Sequence, residues 1–592
     1  MSFDKESVNI IGAGLAGLSA AITLARAGRN CNLISMLPSE RAQSVMAEGG
    51  INGALNTMGE DDCTENHFND TMKAGAYIAD EEAVRKFTER APEILMELKR
   101  LGVPFNLQNE QIQQRNFGGQ KKKRTAYARS STGKVLMTAL IDEARKYEEQ
   151  GLIRRYSNHE LVRLILTADP NVQWYGELDL KRQLKLTDRF DRNATCNDND
   201  PISNSRLCIG AVIKDNYTCD MIKLKGMVIL AYGGMNGMFP EKTTGTVTNS
   251  GDATALVFSQ GVMFSNLEMI QYHPTTIGIS GKRCLVSEAA RGEGGRLYVM
   301  RDGKPWYFME EKYPELGNLM PRDVVARESY FVTHSSECDD QVWLDLHELP
   351  KETWLKKLPD LRNEVKHYLG IDPIKDPIPV EPGIHYFMGG IDVDIRHKTS
   401  IDGLYAAGEC CSQYHGANRL GGNSTMGAIY GGIVAAESIM AESKISEDKD
   451  DNQANCKKYA GYNNITGNPS DTISDKMSES INDYINCTSS AALNAAIRDI
   501  LMQAMGIVRN EDDMTSALDE IRKNIFDGQF NEKKLNTREE NRLHLAEAML
   551  ESAIMRKESR GAHYRSDYPQ TSEEYRGRTI VMAGHKAELI HC

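Results

Sequence analysis

Residues 8–17 read VNIIGAGLAG, and this stretch decides the fold. Its first four residues have the pattern of a short buried strand, and the run LSAAITLARAG after Gly17 is typical of a helix. A second strand, CNLIS, occupies residues 31–35. Strand, glycine turn, helix and strand form the βαβ unit that binds dinucleotides, in which Gly12 suits the tight turn, Gly14 lets a pyrophosphate approach the backbone and Gly17 lets helix and strand pack closely.

The second strand ends without the acidic residue that usually binds the ribose of NAD. Ser35 and Met36 stand there instead. Two further glycine-containing stretches, Gly49-Gly50 and Gly408-Glu409, are far apart in the chain, as contacts to a long cofactor would be. These features favour FAD over NAD. The residues predicted to contact FAD are Gly12, Ala13, Gly14, Gly17, Ser35, Ser44, Ala47, Gly49, Gly50, Asp252, Glu409 and Ser424.

Composition limits the classes of function. The chain has 592 residues, a formal net charge of -13 and 40% hydrophobic residues, which is typical of a globular protein of several domains and not of a nucleic-acid binder. The basic run at 121–124 is interpreted as a solvated loop. No stretch of about 18 apolar residues predicts a membrane span.

The cysteines and the N-terminus indicate the compartment. The 12 cysteines lack the spacings of haem, iron–sulfur or zinc sites, so we expect reduced thiols and no metal. Residues 1–7 are polar and lack the pattern of a signal peptide. We therefore expect a cytoplasmic protein.

The order of elements predicts an α/β fold, with a Rossmann-type FAD-binding domain, an inserted α+β capping domain and a C-terminal helical domain. The predicted segments are the first part of the FAD-binding domain at 1–238, the capping and substrate domain at 239–355, the second part of the FAD-binding domain at 356–442, a linker or loop at 443–475, and the helical domain with its tail at 476–592. We also expect Pro92 to interrupt a helix over 81–101, residues 168–207 to form a polar excursion, and residues 564–592 to be irregular.

Six motifs connect the chain to a known family. They are QYHPT at 271–275, SEAARGEGG at 287–295, PRD at 321–323, HYFMGG at 385–390, HGANRLGGNS at 415–424 and RKESRGAHYRSDYP at 556–569. With these motifs in this order, the chain resembles the flavoprotein subunit of fumarate reductase and succinate dehydrogenase over nearly its whole length. The resemblance implies hydride transfer between a flavin and a small dicarboxylate.

The resemblance also assigns roles by position. Arg322 matches the arginine that delivers a proton to the substrate, and Glu288 with Arg291 matches the relay that reprotonates it. Arginine binds carboxylates through two parallel hydrogen bonds, and residues 288 and 291 share one face of a helical turn. The family usually has Thr where Ser287 stands. The residues that match those holding the dicarboxylate are His273, Ser287, Glu288, His385 and Arg419.

Gln43 departs from the family pattern. Many members carry at this position a histidine that bonds covalently to the flavin, and the next histidine here is His67. An amide cannot form that bond, so we predict dissociable FAD. Covalent attachment raises the flavin potential in such enzymes, so its absence favours reduction of fumarate over oxidation of succinate.

Three alternatives remain open. L-aspartate oxidase is a relative that also holds FAD without a covalent bond, but it carries an acidic residue where Phe117 stands. Phe117 offers no charge to an ammonium group, so we include it among the substrate-binding residues of a reductase. The substrate could also be another unsaturated dicarboxylate, or the chain could be an electron-transfer subunit without substrate chemistry.

An electron donor is implied in each case, because the chain has no cluster motif of its own. An iron–sulfur subunit or another donor would serve. Partner subunits could also hold the chain at the cytoplasmic face of a membrane.

Overall fold

A computed structural model describes residues 7–129, 131–167, 206–450, 491–530 and 533–591, with the backbone alone for 167 and 444–450. Nearly all of the predicted excursion at 168–207 lies outside the described residues, and so does the predicted linker beyond residue 450.

The FAD-binding domain is built on five parallel strands, here called the nucleotide sheet. Val8 pairs with Cys31 and Ile11 with Ile34 in parallel register. The first strands are buried along their whole length, as parallel strands covered on both faces require. The predicted α/β fold and its opening βαβ unit are confirmed. In spatial order the strands are Leu404–Ala406, Val228–Leu230, Val8–Ile11, Cys31–Ser35 and Ile153–Ser157.

Helix Leu15–Arg26 follows the glycine turn and packs against helices Thr132–Glu149 and Asn423–Asp450. A Cβ atom at Gly17 would lie 1.8 Å from the carbonyl oxygen of Gly12, so only glycine allows this approach of helix to turn. Helix Asn423–Asp450 continues past residue 442, where the sequence predicts the linker to begin.

Helix Glu81–Arg100 runs through Pro92 without a break, so the predicted interruption is wrong. Proline removes one backbone hydrogen bond from the helix. The apolar face around it, which includes Phe87 and Leu95, is buried in the core of the FAD-binding domain. Burial of a large apolar side chain contributes about 1.5–3 kcal/mol, so this face outweighs the lost bond. The Asp80 carboxylate also accepts a hydrogen bond from the backbone nitrogen of Ala83 at 2.8 Å and caps the helix.

The capping domain is built on a six-stranded antiparallel sheet, here called the capping sheet. Strand Ile378–Phe387 pairs in this sheet, although it follows residue 355, where the predicted capping segment ends. The predicted domain boundaries stay predictions. In spatial order the strands are Lys282–Leu285, Ile270–Ile279, Ile378–Phe387, Cys338–Asp345, Arg296–Arg301 and Lys304–Trp306. Helices of this region are Ala289–Gly292, Phe308–Lys312, Arg322–Thr333, Lys351–Lys356 and Pro359–Leu369.

Three helices dominate the C-terminal region, as predicted: Ala491–Ala504, Glu511–Asp527 and Thr537–Met555. Asn536 caps the third helix, and Glu539 completes a capping box. This helix packs on helix Asp252–Ser259. The C-terminal region therefore shares a hydrophobic core with the FAD-binding domain.

The end of the chain is not irregular as predicted. Strands Gly577–Val581 and Glu588–His591 pair with each other, and the former also pairs with Phe264–Ser265. The tail finds its backbone partner in Phe264–Ser265, a distant part of the chain, which a local sequence pattern does not reveal. Strands Gly390–Asp392 and Cys411–Ser412 complete this sheet of five.

A smaller antiparallel sheet contains His159–Thr167, Leu207–Asp215 and Met221–Lys225. Short strands at Ile51–Asn52, Gln114–Arg115 and Thr125–Ala126 form another sheet, and helix Thr64–Ala74 lies nearby in the chain. Two hairpins pair Leu107–Gln108 with Gln111–Ile112 and Gln529–Phe530 with Lys533–Lys534.

The basic run at 121–124 is only partly a solvated loop. The guanidinium of Arg124 is fully buried, 3.0 Å from a carboxylate oxygen of Asp62 and 2.9 Å from one of Asp70. Lys123 is half exposed and pairs with Glu60. The prediction is wrong for Arg124 because two acidic residues distant in sequence neutralise its charge. Separately, no helix in the described ranges has the length and apolar character to cross a membrane.

Candidate active site

A cavity of about 280 Å³ lies between the nucleotide sheet and the capping sheet. Its lining includes all the predicted FAD contacts except Gly17, together with Arg322 and all the predicted dicarboxylate contacts. Gly17 instead makes the close contact between helix and turn. Arg291 lies behind the lining. The residues predicted to contact FAD and those predicted to contact the dicarboxylate thus line one cavity, while their individual roles stay predictions.

The glycine turn forms the wall suited to phosphates. Gly12 has a φ of 120°, and a Cβ atom there would lie 2.1 Å from the carbonyl oxygen of Ala231. Helix Leu15–Arg26 begins here with no acidic residue in its first turn, so its N-terminal amides face the cavity without a competing negative charge. The Ser44 hydroxyl accepts a hydrogen bond from the backbone nitrogen of Leu15 at 3.2 Å.

Ser35 ends its strand with a buried hydroxyl that has no partner among the described residues. A ribose hydroxyl could supply that partner, because a buried hydroxyl is costly to leave unpaired. Ala47, Gly49 and Gly50 continue the same wall, and the Gln43 side-chain oxygen accepts a hydrogen bond from the backbone nitrogen of Thr246 at 2.5 Å. The residues present therefore fit FAD.

The pKa values of two acidic residues of the lining are shifted in opposite directions. Burial raises the pKa of Glu409 to about 7, and its carboxylate accepts a hydrogen bond from the backbone nitrogen of Phe387 at 3.2 Å. Asp252 instead pairs with Arg542, with 2.6 Å between Oδ1 and Nε. Burial raises and Arg542 lowers the pKa of Asp252, and the net shift is downward. Asp252 thus ties the cavity wall to the C-terminal helix.

Glu288 stands between two arginines. Its Oε2 accepts hydrogen bonds from Arg322 Nη2 at 2.5 Å and Arg322 Nε at 3.1 Å, and its Oε1 accepts one from Arg291 Nη2 at 3.2 Å. Burial alone would raise the pKa of Glu288, but the charges of Arg322 and Arg291 lower it to about 2. The carboxylate is therefore ionised, and it connects the arginine of the lining to the arginine behind it.

His273 and His385 lie on adjacent strands of the capping sheet, with 5.2 Å between their ring centroids. The register jumps from Tyr386 to Ile384, which leaves His385 as the extra residue of a β-bulge. Thr244 Oγ1 lies 2.8 Å from His385 Nδ1. Burial, with a smaller effect from the charge of Arg322, lowers the pKa of both imidazoles well below the ordinary value. Both rings are neutral, and His273 Nε2 has no partner among the described residues.

Arg419 enters the cavity from the segment before helix Asn423–Asp450. Its Nη1 donates to Ser424 Oγ at 2.9 Å, and its guanidinium lies 4.5 Å from the centre of the Tyr386 ring. Among the described residues no carboxylate pairs with Arg419, and its Nε has no acceptor. Burial, helped by the charge of Arg322, lowers the pKa of Arg419 to about 9. A buried guanidinium without a carboxylate partner favours the binding of an anionic ligand.

Ser287 and Phe117 complete the side of the cavity that holds the predicted dicarboxylate contacts. The buried Ser287 hydroxyl has no partner among the described residues. Phe117 packs so closely on two glycines that a Cβ atom at Gly49 would lie 2.8 Å, and one at Gly421 3.0 Å, from its ring carbons. Phe117 therefore closes the cavity with an apolar surface.

The chain was compared with known proteins. The family described as "FAD binding domain" matches residues 7–425, and the family described as "Fumarate reductase flavoprotein C-term" matches residues 494–590. The chain is 35% identical to the succinate dehydrogenase flavoprotein subunit of Bacillus subtilis (strain 168), over 98% of this chain and 94% of that protein. It is 31% identical to the fumarate reductase flavoprotein subunit of Escherichia coli (strain K12), over 95% and 88%.

This chain belongs to the succinate dehydrogenase and fumarate reductase flavoprotein family. A solved structure of FrdA from E. coli quinol fumarate reductase, carrying one substitution, superimposes with a TM-score of 0.78 at 25% identity, covering 99% of this chain and 96% of that one. The resemblance found in the six motifs is thereby confirmed.

Sequence reasoning missed several residues of this flavoprotein's site. Gln271 accepts hydrogen bonds from Arg322 and Arg419, which both line the cavity, and Thr244 contacts His385. Gln271 opens the QYHPT motif two residues before His273, so strand alternation could have placed both side chains on one face. Thr244 lies in an irregular segment with no such signal. No cluster of three or more His, Cys, Asp or Glu side chains suited to a metal ion occurs among the residues that the structure describes.

Proposed function

We propose that this flavoprotein reduces fumarate to succinate with dissociable FAD. The observation that carries the proposal is the arrangement of charge in the cavity. Arg419 lacks a carboxylate partner among the described residues, while Arg322 is tied to Glu288, and both line the space that the predicted cofactor residues also line. Arg419 is therefore available to an anion, and Arg322 has a partner for proton transfer.

Charged and neutral side chains of the cavity would make different contacts with the substrate. Arg419 would hold one carboxylate of the substrate, because a guanidinium matches a carboxylate with two parallel donors. The neutral rings of His273 and His385 and the hydroxyl of Ser287 would donate hydrogen bonds without adding charge. As negative charge develops on the substrate during reduction, these donors would stabilise it where it forms.

Arg322 would deliver the proton from its guanidinium to the substrate carbon. Arginine is a weak acid with a pKa above about 12, so the neutral guanidine can exist only briefly. Glu288, 2.5 Å from Arg322 Nη2, would accept a proton from Arg291 at its other carboxylate oxygen and pass a proton on to the neutral Arg322 side chain. Bound FAD would supply the hydride.

Phe117 supports this reaction over L-aspartate oxidation. The substrate ammonium of an oxidase calls for a nearby carboxylate, whereas Phe117 presents a buried hydrocarbon ring. Gln43 supports dissociable FAD, since an amide cannot replace an attachment histidine. Electrons would come from an iron–sulfur subunit or another donor, because the relatives are named as subunits. We place the chain in the cytoplasm or, through such partners, at the cytoplasmic face of a membrane.

An anaerobic assay of the FAD-loaded chain tests the proposal. With a reduced dye as donor, fumarate should be reduced faster than other unsaturated dicarboxylates. Aerobic oxidation of L-aspartate with release of hydrogen peroxide would show the oxidase instead. Failure to turn over either substrate, with FAD bound, would indicate an electron-transfer subunit.

A further inference from the structure

Two cationic side chains of the cavity share one neutral acceptor. Gln271 Oε1 accepts a hydrogen bond from Arg322 Nη1 at 3.1 Å and another from Arg419 Nη2 at 3.0 Å. All three side chains are buried, and Gln271 has no exposed surface. Like charges repel strongly when they are away from water, so these guanidiniums need a fixed acceptor to remain close together.

The orientation of the Gln271 amide is determined by its neighbours. Gln271 Nε2 donates to Asn418 Oδ1 at 2.7 Å and to the backbone oxygen of Arg419 at 2.9 Å. Asn418 Nδ2 in turn donates to Asp323 Oδ1 at 2.7 Å. A carboxylate and a carbonyl can only accept, and guanidiniums can only donate, so the chain from Asp323 to Gln271 has one consistent direction. A flipped amide would set its NH2 group against two cations.

These contacts link separate parts of the fold. Gln271 belongs to the capping sheet, Arg322 and Asp323 begin a helix of the capping domain, and Asn418 and Arg419 precede a helix of the FAD-binding domain. One amide therefore sets the distance between the arginine predicted to deliver a proton and the arginine predicted to hold a carboxylate.

We propose that Gln271 is a positioning residue, which holds Arg322 and Arg419 at one spacing so that a bound dicarboxylate meets both. The proposal rests on the proposed function. Gln271 acts through the two arginines, and Asn418 acts through Gln271. A charged hydrogen bond is strong enough that removal of the shared acceptor should reduce kcat/KM by roughly 10- to 100-fold.

The test compares Gln271→Met with the wild-type chain, both loaded with FAD. Methionine keeps the length of the side chain and removes the acceptor. We expect KM for fumarate to rise and kcat to fall together, with unchanged FAD content. Malonate, a dicarboxylate without a double bond, should bind about 10-fold more weakly when followed by the change in flavin absorbance.

Gln114→Met is the matched control. Gln114 is also a buried glutamine, but its amide donates to the backbone oxygens of Gly53 and Arg124, away from the two arginines. The variant Gln114→Met should leave the KM for fumarate and the affinity for malonate unchanged. Asn418→Ala should give a smaller loss than Gln271→Met, with the same joint change in KM and kcat.

The outcomes separate the two proposals. If wild-type protein neither reduces fumarate nor binds malonate, the proposed function fails. If wild-type protein does both and Gln271→Met matches it in KM, kcat and malonate affinity, the positioning role is overturned. A loss of FAD or of folded protein in Gln271→Met, with wild-type malonate affinity in the fraction that remains loaded, would also overturn it.

Discussion

The Gln43 side-chain oxygen accepts a hydrogen bond from the backbone nitrogen of Thr246, 2.5 Å away, and both residues line the cavity. This bond joins the short helical turn Gln43–Met46 to the segment before helix Asp252–Ser259. Gln43 therefore has a structural partner at the position where the family resemblance leads us to expect an attachment histidine.

This contact leads to a prediction about FAD retention. Acid precipitation should leave the protein pellet colourless and the supernatant yellow, because no covalent bond forms at an amide. Gln43→Ala should also speed FAD dissociation about fivefold, since a hydrogen bond contributes about 1 kcal/mol. Flavin fluorescence after dilution measures the rate, and exposed Gln108→Ala serves as the control. Colour retained in the pellet would contradict dissociable FAD.

Arg322→Ala should abolish turnover and leave FAD bound. General acid catalysis contributes about 10²- to 10⁴-fold, so the loss in kcat should lie in that range or above it. Arg296→Ala is the matched control, because Arg296 pairs with Glu310 in the same domain at 2.7 Å but does not line the cavity. Steady-state rates and the absorbance ratio of flavin to protein check both outcomes. Activity that survives in Arg322→Ala would show that another group delivers the proton.

The buried Arg124 should contribute far more to stability than its neighbour Lys123. Arg124→Ala leaves the carboxylates of Asp62 and Asp70 buried without a counter-charge, which costs about 3–5 kcal/mol. Lys123→Ala removes a half-exposed pair, worth about 0–1 kcal/mol. Urea denaturation of both variants measures the difference in the free energy of unfolding. Equal effects would mean that the carboxylates find other partners.

Stability should fall as the pH drops below 6.5. Burial lowers the pKa of His67 and of His415 to about 3, from an ordinary value of 6.5. Between these pH values the unfolded chain binds protons that the folded chain does not, so acid favours unfolding. The stabilisation is complete above pH 6.5 and decreases by up to about 1.4 kcal/mol per pH unit for each histidine.

The variant His67→Gln isolates this effect. The free energy of unfolding should depend less steeply on pH in the variant than in the wild type between pH 6.5 and 5, where most carboxylates remain ionised. Exposed Gln108→Ala, which removes no titratable group, should keep the wild-type slope. Identical slopes for His67→Gln and the wild type would show that His67 is not held neutral in the folded protein.

The sequence predicted the parts of the molecule that depend on local pattern. The run VNIIGAGLAG predicted the glycine turn, and the six motifs predicted which histidines and arginines share the cavity. Contacts between distant segments could not be predicted from the sequence. Arg124 is buried because Asp62 and Asp70 meet it from another segment, and Gln271 meets Arg419 from 148 residues away. Neither contact leaves a periodic signal, since each depends on how distant segments pack.

Strand Gly577–Val581 lies between Phe264–Ser265 and Glu588–His591, so it is an interior strand of its sheet and Glu588–His591 forms the edge. Strand Cys411–Ser412, just after Glu409 of the cavity wall, belongs to the same sheet. Deletion of residues 577–591 would therefore leave Phe264–Ser265 as an unpaired edge in the sheet that carries this part of the cavity wall.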